Sequence, residues 1–183
     1  PWIYNKKSLK LHRKIGFVGL FLAGGVVFSA LQVIPYNLSS GLSGYLKYGL
    51  TFYDFIALLG FSASVIMAML ESKGRDKHAR WMISTAFWAF LPAVSRLIFF
   101  SLLAMNGGKP LIPFSDAVYY GLVAGTVPLL IMIFLDYRKY GTMYRSYLVA
   151  LFGTVILTLL VKVMGTTQWW IDWCETVLVR GLS

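Results

Sequence analysis

The chain has 183 residues, of which 58% are hydrophobic and 13% charged, where a soluble domain carries about 25% charged residues. That composition excludes a water-soluble globular enzyme and predicts one bilayer-embedded helical bundle with little mass outside it. The 17 Lys+Arg against 7 Asp+Glu, a net charge of +10, do not read as a nucleic-acid surface, because the cations cluster at the ends of apolar runs, where they fix orientation and meet anionic lipid.

Taken in order, the segment Pro1 to Lys14 places Lys6, Lys7, Lys10, Arg13 and Lys14 around His12. It opens a first uncharged span over 15–34, long enough for hydrocarbon, which needs about 20 apolar residues. Its cationic start predicts an N-terminus on the inner side. Gly16, Gly19 and Ala23 follow His12 at helical spacing, so they share its face, a pattern that favours close helix packing over a ligand slot. The start at Pro1 leaves room for a further helix upstream.

Pro35, Asn37, Ser39, Ser40, Gly41 and Gly44 predict an outer loop over 35–49 that includes Lys47. The second span, 50–70, holds one ionisable residue, Asp54, near its outer end. Glu71 to Arg80 is charged and inner. In the third span, 81–105, the residues His78, Met82, Thr85, Ala89, Pro92 and Arg96 fall on one face. Five helical turns set His78 and Arg96 about 27 Å apart along the axis, at opposite rims. Pro92 lacks the N–H that would bond the Trp88 carbonyl, which predicts a bend.

After an outer turn over 106–113, a fourth span over 116–135 carries Pro128 as a second bend. An inner stretch follows with Arg138 and Arg145 among Tyr137, Tyr140 and Tyr144, and the fifth span, 147–164, ends near Lys162. In the tail, 167–182, Trp169, Trp170, Trp173, Cys174, Val177 and Leu178 oppose Gln168, Asp172, Glu175 and Arg180. That amphipathic pattern predicts a helix lying in the outer interface or docking on a partner. The expected fold is therefore all-α: a single domain over 1–183, an integral membrane bundle of five transmembrane helices with a C-terminal interfacial amphipathic helix, N-terminus inside and C-terminus outside.

Two polar groupings stand out. His12 and His78 each open an inward-starting span, with Arg13 and Arg80 beside them. Two imidazoles permit at most one b-type haem, with the cations meeting its propionates. The same residues also suit a lipid headgroup, and their rim position favours a headgroup contact or helix cap. In the outer half, Asp54, Arg96 and Asp116 come from consecutive spans at similar depth. An unpaired arginine inside the bilayer costs on the order of 2.5 kcal/mol or more, so an ion pair of Arg96 with Asp54 or Asp116 is expected, serving as a bundle staple or as an anion or quinone site. One cysteine, Cys174, and two histidines supply neither a disulfide nor a closed zinc site, and no catalytic constellation or phosphate loop occurs.

His12-Arg13-x-x-Gly16 opening one span, and His78-x-Arg80-Trp81-Met82 with a later Arg96-Leu97, together resemble a family of uncharacterised bacterial multi-helix membrane proteins. The resemblance runs from about Leu11 to Arg138 and implies a bundle of this kind in a bacterial cytoplasmic membrane, with no established activity; a mitochondrial inner membrane shares the same cation bias. A weaker likeness is to transmembrane b-type cytochromes of the ascorbate-reducible type, whose pattern uses four histidines for two haems where this chain has two.

The leading expectation is a non-catalytic integral subunit or assembly component of a larger membrane complex, in contact with lipid and other membrane subunits. The alternative is a single-haem electron-transfer protein using His12 and His78, linked to quinone. The third is a small-molecule or ion carrier using Asp54, Arg96 and Asp116.

Overall fold

The structure, a computed structural model, describes residues 6–39 and 44–179. All regular structure among them is helical: α1 (Lys6–Ser39), α2 (Tyr45–Leu70), α3 (Arg75–Met105), α4 (Phe114–Tyr140), α5 (Arg145–Met164) and the short α6 (Gln168–Trp173), which continues as a π-helical segment, Cys174–Val179. The first five are long and apolar enough to cross a membrane. Helices are the expected solution, because in hydrocarbon each backbone N–H and C=O must be satisfied within its own segment. Even α5, the shortest of the five at 20 residues, spans about 30 Å.

Short connections make successive helices antiparallel. At the α4–α5 turn Gly141 adopts φ 66°, the left-handed conformation that ends a helix at least cost to glycine, and its N–H donates to the Tyr137 carbonyl at 2.8 Å. The starts of α1, α3 and α5 thus gather at one end of the bundle with the ends of α2 and α4. Since it holds both histidines, it is called the histidine end below.

Two boundaries differ from those expected. The region 35–49 is mostly helix: α1 runs through Pro35 to Ser39 and α2 begins at Tyr45. A proline inside an apolar helix loses one hydrogen bond without ending it. The third helix begins at Arg75, so the charged collar belongs to it, with Asp76 in the first turn where the helix dipole favours an acid. Ser40, Gly41, Arg180 and the side chains of Lys6, Lys7 and Lys10 lie outside the described residues. Pro92 and Pro128 both lie within uninterrupted helices.

The core joins α2, α3, α4 and α5 around Trp88, Leu91, Leu122, Tyr147 and Leu157. Small residues let the helices approach. A Cβ at Gly60 of α2 or Gly153 of α5 would run into the Trp88 indole, so the ring fills a slot that two absent side chains leave open. On α4, Gly121 and Gly125 meet Ser95 and Leu91 in the same way. Two buried hydroxyls bond back along their own helices, Ser84 to the Arg80 carbonyl at 3.1 Å and Thr154 to the Ala150 carbonyl at 2.8 Å, so these two enter the apolar core satisfied.

The tail does not lie apart from the bundle. Trp170 and Cys174 are buried against Leu38 of α1 and Tyr48, Phe52 and Phe55 of α2. The Trp170 indole donates to the Tyr48 carbonyl at 3.0 Å, and Glu175 accepts from Lys47 at 2.9 Å and from Tyr48 at 2.6 Å. Much of the tryptophan face expected in the interface is therefore spent on the chain's own α1–α2 end, while Trp169 stays 62% exposed.

Candidate functional site

α1 is the least integrated helix. Its face Ala23, Val27, Ala30, Ile34 and Leu38 passes from partly to fully buried toward the far end, where it packs on α2 and the C-terminal segment. Over its first half it stands clear: residues 11–22 are all exposed, and a Cβ at Gly16 or Gly19 would meet nothing within 4 Å. No helix of this chain is the close neighbour expected beside these glycines.

At the histidine end that space is closed by one contact between rings. The imidazoles of His12 and His78 lie 6.2 Å apart between centroids, at an interplanar angle of 84°. His78 is oriented by a second interaction. Ala68 lies in the last turn of α2, where carbonyls lack intrahelical partners; the N–H of Ser72 turns instead to Met69 at 3.2 Å. The His78 Nδ1–H fills the gap, donating to the Ala68 carbonyl at 2.7 Å. A carbonyl only accepts, so Nδ1 carries the proton in this contact, and Nε2 is the nitrogen left free of it. This is the arrangement in which a histidine ligates through Nε2 while its other nitrogen fixes the ring.

The two rings meet edge to face, within the range of about 4.5–7 Å at which aromatic rings ordinarily pair. The glycines below His12 have no neighbour from this chain beside them, and Arg13 is exposed on the same helix.

Arg80 is placed differently from the expectation of a haem-facing or lipid-facing cation. It is buried, and its guanidinium donates to both carboxylate oxygens of Asp136, Nε to Oδ2 at 2.6 Å and Nη2 to Oδ1 at 3.1 Å. It also donates to the Asp76 carbonyl at 3.0 Å and lies over the rings of Tyr144 and Tyr140, at 3.9 and 4.8 Å from their centroids. With its charge neutralised and its donors engaged, Arg80 staples α3 to α4. The sequence put both residues at the same rim but offered no means of choosing Asp136 among the acids there.

In the opposite half, Asp54 and Arg96 line one pocket with Tyr53, Ser95 and Pro92, and Arg96 Nη1 donates to the Pro92 carbonyl at 3.2 Å. Asp116 sits in the first turn of α4, flanked by the pocket residues Phe114 and Val118. Asp54 and Arg96 thus come to one pocket, whose lining does not include Asp116. The pocket holds about 30 Å³, room for little more than a water molecule, which favours a staple over a carrier site. Among the described residues no three His, Cys, Asp or Glu side chains gather into a metal site.

Comparison with known families, curated proteins and solved structures finds no match to this chain. The likenesses carried by the His12 and His78 motifs rest on those motifs alone.

Proposed function

We propose that this chain is a membrane-spanning electron-transfer subunit that holds one b-type haem between His12 and His78. The observation that carries the reading is the ring pair itself: two imidazoles from helices otherwise apart at this end, 6.2 Å between centres, with His78 Nδ1 fixed on Ala68. When bound, haem supplies one-electron transfer. The chain's residues hold and tune it. His12 and His78 would hold it through ring nitrogens, the Ala68 carbonyl would fix the rotation of the His78 ring, and Arg13 and Lys14 would offer positive charge to its propionates. The cations of the histidine end support an inner-side position for that end.

The test is a visible spectrum of the protein in mild detergent, oxidised and then reduced, with haem quantified against protein. A b-type Soret band near one haem per chain, absent in His12→Ala and His78→Ala, is the expected result. A folded, colourless protein expressed with ample haem sinks the reading.

A non-catalytic integral subunit or assembly component, the leading expectation from the sequence, is the second reading, and one observation favours it. The first half of α1 exposes Phe17 at 77% and Phe21 at 80% while its own bundle stands off, a surface suited to a partner helix. A photo-crosslinker in place of Phe21 should capture one defined membrane protein in native membranes; lipid adducts alone would count against a partner there.

A further inference from the structure

The second half of α1 is docked and the first is not, and the boundary between them carries a glycine pair. Ile34 and Leu38 are each 2% exposed, and burial along this face begins at Ala23 and Val27. Toward the histidine end, residues 11–22 are exposed. Gly24 and Gly25 fall at the change-over, both of them exposed.

The pair has no packing role within the chain. The glycines inside α2, α4 and α5 (Gly49, Gly60, Gly121, Gly125 and Gly153) stand where an atom of another helix already occupies the position of a Cβ. A Cβ at Gly24 or Gly25 would meet nothing within 4 Å. What two adjacent glycines do supply is backbone freedom, which makes the interior of a helix easier to bend. The next turn adds to it. The Ser29 hydroxyl donates to the Val26 carbonyl at 3.0 Å, a back-bond that loosens the helix ladder and favours bending.

Beyond the pair, the exposed half is tied back to α3 by the ring contact of His12 with His78. Twelve residues separate His12 from Gly24, about 18 Å along the axis. A bend of about 20° at the glycines therefore carries the His12 ring about 6 Å, enough to part it from His78. The His78 ring stays behind, fixed on the Ala68 carbonyl of α2.

We infer that the first half of α1 is a hinged arm, pivoting at Gly24 and Gly25 and latched to α3 by the edge-to-face contact of His12 with His78. The structure shows the arm closed. Opening separates it from the end of α2 and gives access to His78 from the side. The inference goes beyond the haem reading and does not depend on it, because the ring contact is itself the latch.

The experiment measures distances between paired spin labels, by double electron–electron resonance, on the full chain in lipid nanodiscs. Cys174→Ala removes the one native thiol. Leu135 of α4 carries the fixed label, and the second label sits at Phe17 in the arm or at Val33 in the docked half, all three positions being exposed. His12→Ala removes the latch together with any ligand at that position, so the readout is the same with or without haem. It should broaden the Phe17–Leu135 distribution and raise the open population roughly two- to tenfold, the worth of an edge-to-face ring pair, while Val33–Leu135 stays narrow. Adding Gly24→Ala and Gly25→Ala puts two methyls into open space and stiffens the helix, and should narrow the Phe17–Leu135 distribution again. Thermal unfolding checks that each variant is folded. A Phe17–Leu135 distribution unchanged by His12→Ala would overturn the latch. Equal broadening at Val33 would show α1 moving as a whole, and an arm as mobile with the two alanines as without them would remove the hinge.

Discussion

Arg80 and Asp136, fifty-six positions apart, meet through two parallel hydrogen bonds in which the guanidinium fork matches the carboxylate, and their side chains are 9% and 15% exposed. Such a pair is poor evidence of net stability against a well-packed apolar alternative, but removing one partner strands the other as a buried charge. Asp136→Asn and Arg80→Ala should each cost about 3–5 kcal/mol, seen as a large fall in the thermal unfolding midpoint in detergent. Arg80→Lys should not restore it, because an ammonium cannot make the forked contact. Near wild-type stability in Asp136→Asn would show that the pair is dispensable.

Trp88 and its two glycines predict the reverse problem, overpacking. The indole occupies the space of the missing side chains at Gly60 and Gly153, so Gly153→Ala should destabilise by about 1–3 kcal/mol and Trp88→Ala by about 3–5 kcal/mol through the cavity it leaves. Combining Gly153→Ala with Trp88→Phe should cost less than the sum of the single changes, since the smaller ring yields the space. Strict additivity in a double-mutant cycle would mean that the two positions do not compete.

His78 caps α2 through Nδ1 and leaves Nε2 free of that contact, and the roles of the two nitrogens separate under substitution. His78→Gln keeps a donor able to reach toward the Ala68 carbonyl but has no imidazole. Stability close to wild type with loss of the Soret band is expected, whereas His78→Ala should lose both the band and about 1 kcal/mol of stability. An unaltered spectrum in His78→Gln would assign His78 to capping alone.

Cys174, the first residue of the π-helical segment, is fully buried with Leu38 and Trp170, and burial pushes its thiol up to about 11, with nearby Glu175 acting in the same direction. The neutral thiol therefore persists in the folded state where an unfolded one, ionising near 9, is already a thiolate. Stability from this site is intact below about pH 9 and falls as pH rises toward 11, because the unfolded state there binds fewer protons. Maleimide should label the folded protein slowly at pH 8 and the unfolded protein quickly. Fast labelling of the folded chain would show that α6 and the π-helical segment are not docked as described.

How much of this was legible in the chain follows from what is local. Five apolar stretches of sufficient length, separated by polar turns, determined five membrane-crossing helices, because a helix satisfies its backbone within its own sequence and bilayer thickness sets its length. The assignment of His12 and His78 to one end followed from the same counting. Helix ends were less legible: Pro35 and the collar Arg75–Arg80 carry loop-like residues, yet both are helical, since a helix already under way tolerates them.

Contacts between helices were decided only in three dimensions. The sequence gathered acids and cations at each rim but not the match of Arg80 to Asp136, and it gave Trp170 an apolar face without saying that the face would turn onto Tyr48 and Leu38. Which of many apolar faces meets which depends on how the helices rotate about their axes and how far they slide along them. Lipid is as apolar as the side chains, so exposure to it imposes no single buried stripe. Packing around small residues, Gly60 and Gly153 against Trp88 above all, fixes rotation and depth, and from that follow the ring pair at the histidine end and the open space along α1.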